Sequence, residues 1–247
     1  MIEVIALRKS FKGNEVLRGL DLKIQDDETM AIIGPSGCGK SVLLKHFVGL
    51  LQPDSGSVIV DGEDISGYSR NKLYRLREKF GMLFQSAALF DSLTVGENVG
   101  LWLKEHTNTP EHEIERRAES ILNRIGLRNI LDKNPAELSG GMQKRVGLAR
   151  AVINDPKYIL YDEPTTGLDP IMSDVINELI LRMRADLKNT AIVVTHDMAS
   201  VYKVADRVAM MHGGQIVFLG TPGEVKSSDN PHVRQFIEGR SQGPIQP

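Results

Sequence analysis

Only one cysteine, Cys38, occurs among the 247 residues, which excludes an internal disulfide and leaves zinc without its usual thiolate pair. Long apolar runs are missing as well. No stretch approaches the roughly 18 consecutive apolar residues needed to span a bilayer. The opening residues Met1-Ile2-Glu3-Val4-Ile5 lack the basic segment and apolar core of a secretion signal, so the expected location is the reducing cytoplasm. An excess of one charge is absent too: a formal net charge of −2 gives no electrostatic footprint for nucleic acid. Neither an internal repeat nor a low-complexity tract is present. What remains is an ordinary globular composition, 25% charged and 41% hydrophobic, on a chain long enough to bury a sizeable core.

Periodicity supplies the coarse architecture. Residues 2–7 and 20–24 alternate like half-buried strands around the turn Lys12-Gly13-Asn14. Residues 57–60 read as a strand closed by Asp61-Gly62, 70–79 as a short basic helix and 81–84 as another strand. From about 86 to 155 the character changes. A helix over 111–125 carries Ile114, Ala118, Ile121, Leu122 and Ile125 on one face, and Ser139 opens a second helix to about 153, which together read as a helical insertion. Alternation then returns, with strands at 158–161 and 191–195, helices at 173–187 and 199–205, and a hairpin of 208–211 with 215–218. Such a pattern implies an α/β fold with a mainly parallel central sheet.

Within this frame the octapeptide Gly34-Pro35-Ser36-Gly37-Cys38-Gly39-Lys40-Ser41 fits the G-x-x-x-x-G-K-[ST] phosphate loop. An apolar strand precedes it and a helical segment opening at Val42 follows, as the motif requires. Its glycines let the backbone curl so that amides point into one concavity at the positive end of a helix. Lys40 then reaches the β- and γ-phosphates of a nucleoside triphosphate, and the Ser41 hydroxyl sits on Mg²⁺. The strand at 158–161 ends in Asp162-Glu163. A carboxylate at the end of a buried strand in such a fold is a partner for Mg²⁺, which assigns Asp162 to the metal and Glu163 to the proton of an attacking water. Ser139 reads as a helix N-cap, with Gly140 and Gly141 exposing amides at a second anion site.

The segment Leu138-Ser139-Gly140-Gly141-Met142-Gln143-Lys144-Arg145 resembles the signature sequence of ATP-binding cassette (ABC) ATPases, with Met142 where glutamine is usual. The resemblance extends over most of the chain. It implies that Phe11 stacks on adenine with Val16 nearby, and that Gln85 contacts Mg²⁺ and water and joins two subdomains. Gly167-Leu168-Asp169 is similar to the D-loop that crosses the dimer interface, which puts Asp169 among the implied nucleotide-binding residues, and His196 to the switch histidine that contacts the γ-phosphate. The implied fold is a RecA-like core with a mainly parallel sheet, an N-terminal antiparallel β subdomain and an inserted helical subdomain. In that scheme 1–247 is one ABC ATPase domain, with 1–85 and 156–239 as nucleotide-binding core, 86–155 as helical subdomain and 240–247 as a loose tail. The implied cofactors are ATP and Mg²⁺. The implied partners are a second ATPase subunit, as homodimer or with a similar chain, and a separate integral-membrane permease holding this chain on the inner face of the cell membrane.

Residues 84–95 and 231–239, with Glu105-His106-Thr107, resemble the corresponding stretches of ATPases in Mla/MCE-type phospholipid transporters. Such a system adds MCE-domain and STAS-like proteins as partners, and Leu89, Phe90 and Leu93 become an apolar surface for the permease. Two alternatives stay open: an amino-acid or other small-solute importer, and a non-transport ABC ATPase.

Overall fold

The computed structural model describes residues 1–246. In chain order it contains β1 (Ile2–Phe11), β2 (Asn14–Ile24), β3 (Thr29–Ile33), α1 (Lys40–Phe47), β4 (Ser55–Val60), β5 (Glu63–Asp64) and α2 (Arg70–Arg77). Then come β6 (Phe80–Leu83), α3 (Val95–His106), α4 (Glu111–Arg124), α5 (Gly140–Val152), β7 (Tyr158–Asp162) and α6 (Pro170–Leu187). The chain continues with β8 (Thr190–Val194), α7 (Met198–Val204), β9 (Arg207–His212), β10 (Gln215–Gly220), α8 (Pro222–Lys226) and α9 (Pro231–Glu238). It divides into two compact units, one of residues 1–77 with the chain from Thr190 onward, the other of residues 78–189.

In the first unit β2-β1-β4-β5 form an antiparallel sheet. The opening hairpin is longer than alternation alone suggests. Its ladder runs out to Phe11 opposite Asn14, because polar residues such as Arg8, Lys9 and Glu15 continue the pairing beyond the apolar part. A second set of strands runs in the order β10-β9-β3-β8, with β3 parallel to both β8 and β9. Every residue of β3 and β8 is buried, as expected of parallel strands covered on both faces. Because β3 and β8 are parallel, their carboxyl ends emerge together, and the Thr195 N–H donates to the Ile32 carbonyl at 3.3 Å. Short helices α8 and α9, which the pattern reading missed, place Val225 and Val233 in a core cluster with Ala31, Ile33 and Met210. The tail is not loose throughout. Gln235 donates to the Ile245 carbonyl at 2.9 Å and accepts from its N–H at 2.7 Å, and Ile245 packs against the same cluster. Pro247, the last residue of the expected tail, lies outside the described residues.

In the second unit β6 and β7 pair in parallel, from Phe80 opposite Tyr158 to Leu83 opposite Tyr161. Helix α5 lies directly on β6: a Cβ at Gly81 would fall 1.9 Å from the Ala151 carbonyl oxygen, and one at Gly147 2.8 Å from Leu83. β6, β7 and α6 belong to the same compact unit as helices α3 to α5. Helix α3, absent from the sequence reading, starts at a capping box in which Thr94 and Glu97 each accept the other's backbone N–H. It packs on α4 through Gly100, where a Cβ would meet Ile114 at 2.4 Å. Of the expected α4 face, Ile114, Ala118, Leu122 and the following Ile125 are buried, while Ile121 is half-buried at its margin. Among the described residues no helix is long and apolar enough to cross a membrane.

Candidate functional site

The phosphate loop leaves β3 through Gly34, whose φ is 145°. A Cβ there would lie 2.2 Å from the Met211 carbonyl oxygen and 3.0 Å from Cys38 Sγ, so the loop can press against β9 only with glycine. Gly39, with φ 106°, closes the loop, and a Cβ on it would meet Leu17 at 2.9 Å and Val16 at 3.3 Å. Helix α1 begins immediately after it with no side-chain cap, leaving the N–H groups of its first turn for an anion. Lys40 is buried, and its ammonium donates to the carbonyls of Gly34 at 2.7 Å and Pro35 at 3.0 Å. Burial pushes the Cys38 thiol up against the opposing pull of the Lys40 cation, so Cys38 is a protonated wall residue. Ser36, Gly37 and Ser41 are exposed, and Pro35 and Val42 half-buried.

The structure sets Val16 against this loop at Gly39. Phe11 stands at the hairpin end, 39% exposed with the Lys9 ammonium 5.6 Å from its ring centroid, so it is not a core aromatic. His196 is exposed on the turn between β8 and α7, one residue beyond the Thr195 bond to β3. Asp197 fixes that turn by accepting from Ala199 N–H at 2.9 Å and from the Ser200 hydroxyl at 2.6 Å.

A Gly34→Ala variant is expected to weaken ATP binding by about 5- to 150-fold, since a forced backbone shift of this kind costs roughly 1–3 kcal/mol. Calorimetric titration measures it, and unchanged affinity would remove the close approach to Met211 from the account.

In the second unit β7 ends at half-buried Asp162 and Glu163. Glu163 has φ 51°, a left-handed conformation that favours glycine. Its carboxylate accepts from the Thr166 hydroxyl at 3.0 Å, and its carbonyl accepts from the Lys144 ammonium at 3.1 Å. The same ammonium donates to the carbonyl of exposed Gln85. Just beyond, Ala87 and Ala88 have φ 59° and 47°, and the Arg150 guanidinium donates to both carbonyls at 2.7 Å. The sequence reading assigned no role to Lys144 or Arg150. For Lys144 a signal was present, because it lies at helical spacing with buried Gly141 and Leu148 on the inward stripe of α5.

Ser139 caps α5 as expected, its hydroxyl accepting from Met142 N–H at 3.4 Å. Gly140 is exposed with open space around it, whereas a Cβ on Gly141 would meet Met172 of α6 at 2.7 Å. Asp169 is committed to capping α6, accepting from the N–H groups of Ile171 at 2.9 Å and Met172 at 3.0 Å, which starts that helix at Pro170 rather than 173. The donors assigned to Mg²⁺, namely the Ser41 hydroxyl, the Gln85 amide and the Asp162 carboxylate, are all oxygen, which suits this hard cation.

A family model described as ABC transporter matches residues 17–166. The chain is 42% identical over 244 residues to a probable ribonucleotide transport ATP-binding protein, mkl, of Mycobacterium leprae, covering 99% of this chain and 70% of that protein. It is 40% identical over 245 residues to the intermembrane phospholipid transport system ATP-binding protein MlaF of Haemophilus influenzae, covering 99% of this chain and 93% of that one. Among solved structures, the dimeric post-hydrolysis state of the ATP-binding cassette MJ0796, bound to ADP and Pi, superposes with a TM-score of 0.83 at 30% identity over 90% of this chain and 99% of that one. A family match over residues 17–166, and relatives aligned over 99% of this chain, establish that this chain belongs to the ABC transporter family, with the ABC ATPase fold and the ATP-hydrolysing activity of its ATP-binding subunits.

Proposed function

We propose that this chain energises a separate membrane permease that moves phospholipid between membranes. One observation carries the reading: the 40% identity to the phospholipid transport relative MlaF runs over 93% of that protein. Residues 84–95 add to it, with Phe84 and Phe90 exposed on either side of the Gln85 turn as apolar contacts for a membrane subunit. Leu89 and Leu93 are half-buried and contribute less. The permease would hold the chain on the cytoplasmic face of the membrane, with MCE-domain and STAS-like proteins as accessory partners. Reconstitution with its membrane subunits in proteoliposomes tests this. ATP-dependent transfer of a fluorescent phospholipid is expected, and uptake of labelled ribonucleotide without lipid transfer would overturn the proposal in favour of the activity named for mkl.

In the proposed mechanism the loop amides and Lys40 hold the β- and γ-phosphates, and Phe11 with Val16 holds the adenine. Glu163 accepts the proton of the attacking water, while His196 orients the γ-phosphate. Ser41, Gln85 and Asp162 would hold Mg²⁺, which would supply charge neutralisation on the phosphates. Ser139, Gly140 and the Asp169 turn serve the nucleotide of a second copy. Ile171, 77% exposed in the first turn of α6, suits a surface covered by that copy.

Ser139→Arg is accordingly expected to leave ATP binding nearly intact and to abolish turnover, because a bulky cation replaces a small cap where amides meet phosphate. Mixing it with Lys40→Ala decides whether sites are shared. In a mixed dimer built in trans, both defects fall in one site and the other is complete, so hydrolysis returns. If each site lies within one chain, every site is defective and the mixture stays inactive.

A further inference from the structure

We propose that Lys144 is a positioning residue for ATP hydrolysis: its one ammonium group joins the backbone carbonyls of Gln85 and Glu163 and so holds the metal-contacting segment and the base in register with α5. The inference rests on the reading of Glu163 as the base.

A lysine buried to 5% exposure is costly unless its donors are satisfied. Both segments it binds lie beside backbone that does not hold itself. Glu163 is left-handed, as are Ala87 and Ala88 just after Gln85. Conformations of this kind in residues other than glycine persist only where the surroundings over-determine them. Lys144 supplies that restraint at Glu163, and Arg150, further along the same helix, supplies it at Ala87 and Ala88 through two donors. Between them Gly147 lets α5 sit so close that a Cβ there would be 3.2 Å from the Ala87 methyl.

The geometry therefore makes α5 a bar with three attachments, to the Gln85 turn, to the strained base and, at its exposed start, to whatever binds at Ser139 and Gly140. Displacing α5 displaces both carbonyls. The base is then set by occupancy of the helix start, an effect that acts on the rate of the chemical step and not on nucleotide affinity.

The test measures kcat and KM for ATP on the full chain, well below each variant's melting temperature. Lys144→Met removes every donor and is expected to lower kcat by on the order of 10²-fold, the scale of a misplaced reacting group, with KM within about threefold of wild type. Lys144→Gln keeps N–H donors but is shorter and uncharged, so a smaller loss of about tenfold in kcat is expected, again at unchanged KM. Should the Met variant fail to fold, the Gln variant alone decides. Wild-type kcat in either folded variant overturns the proposal, and so does a rise in KM that accounts for the whole loss of kcat/KM. Glu163→Gln, run alongside, separates the two readings. If it is inactive while Lys144→Met is fully active, only the positioning role fails. If it retains wild-type turnover, the base assignment fails first and this inference falls with it.

Discussion

Lys40→Ala is expected to abolish ATP hydrolysis and to weaken ATP binding by on the order of 10²-fold or more, as loss of a charge-assisted contact to two phosphates requires. The side chain is already in the loop. It is buried, with its ammonium on the carbonyls of Gly34 and Pro35, so it reaches phosphate by a local change of partners and not by ordering from solvent. Removing it also takes a buried cation out of the fold, which offsets the two hydrogen bonds lost, and only a small change in melting temperature is expected. The experiment is therefore clean: calorimetry reports affinity and a thermal melt reports folding. A folded variant that binds ATP as well as wild type would sink the assigned role of Lys40. Full hydrolysis in the variant would do the same.

The parts of this chain that were legible in sequence are those in which local chemistry dictates local structure. The phosphate loop announces itself because Gly34 and Gly39 occupy positions that a Cβ would block. Ser139 was readable because a small hydroxyl before two glycines is a helix cap whatever the tertiary context. Strand β7 and its acidic end follow from one apolar run and the two residues after it. What was not legible depends on partners remote in sequence. Helix α3 has Gly96 and Gly100 within it, which lower helix propensity, and only the close approach of Leu131 to Gly96 and of Ile114 to Gly100 explains them. The role of Lys144 requires carbonyls separated from it by 59 and 19 residues, and no spacing rule connects them. Ile245, in a tail without regular structure, is held by Gln235 ten residues earlier through a side-chain amide whose target nothing in the pattern names. The fit of β6 against α5 has the same origin: Gly81 admits the backbone of Ala151, and the contact belongs to neither segment alone.

Glu163→Gln is expected to keep ATP binding and to lower turnover by on the order of 10²-fold or more, the usual contribution of a general base. The amide is the same shape as the carboxylate. Its oxygen can still accept from the Thr166 hydroxyl, and the backbone carbonyl still receives the Lys144 ammonium, so the left-handed turn at residue 163 has no reason to relax. What the variant lacks is the ability to take a proton from water. If hydrolysis is what releases a closed pair of chains, the variant accumulates as an ATP-bound dimer, and light scattering with ATP and Mg²⁺ detects the doubled mass. Two outcomes carry separate meanings. Wild-type turnover removes Glu163 from the chemistry and returns the strained turn to a structural role. Lost turnover without a dimer keeps Glu163 as the base but breaks the link between hydrolysis and separation of the chains, because an intact signature helix and intact phosphate loop then fail to hold two copies together even with ATP uncleaved.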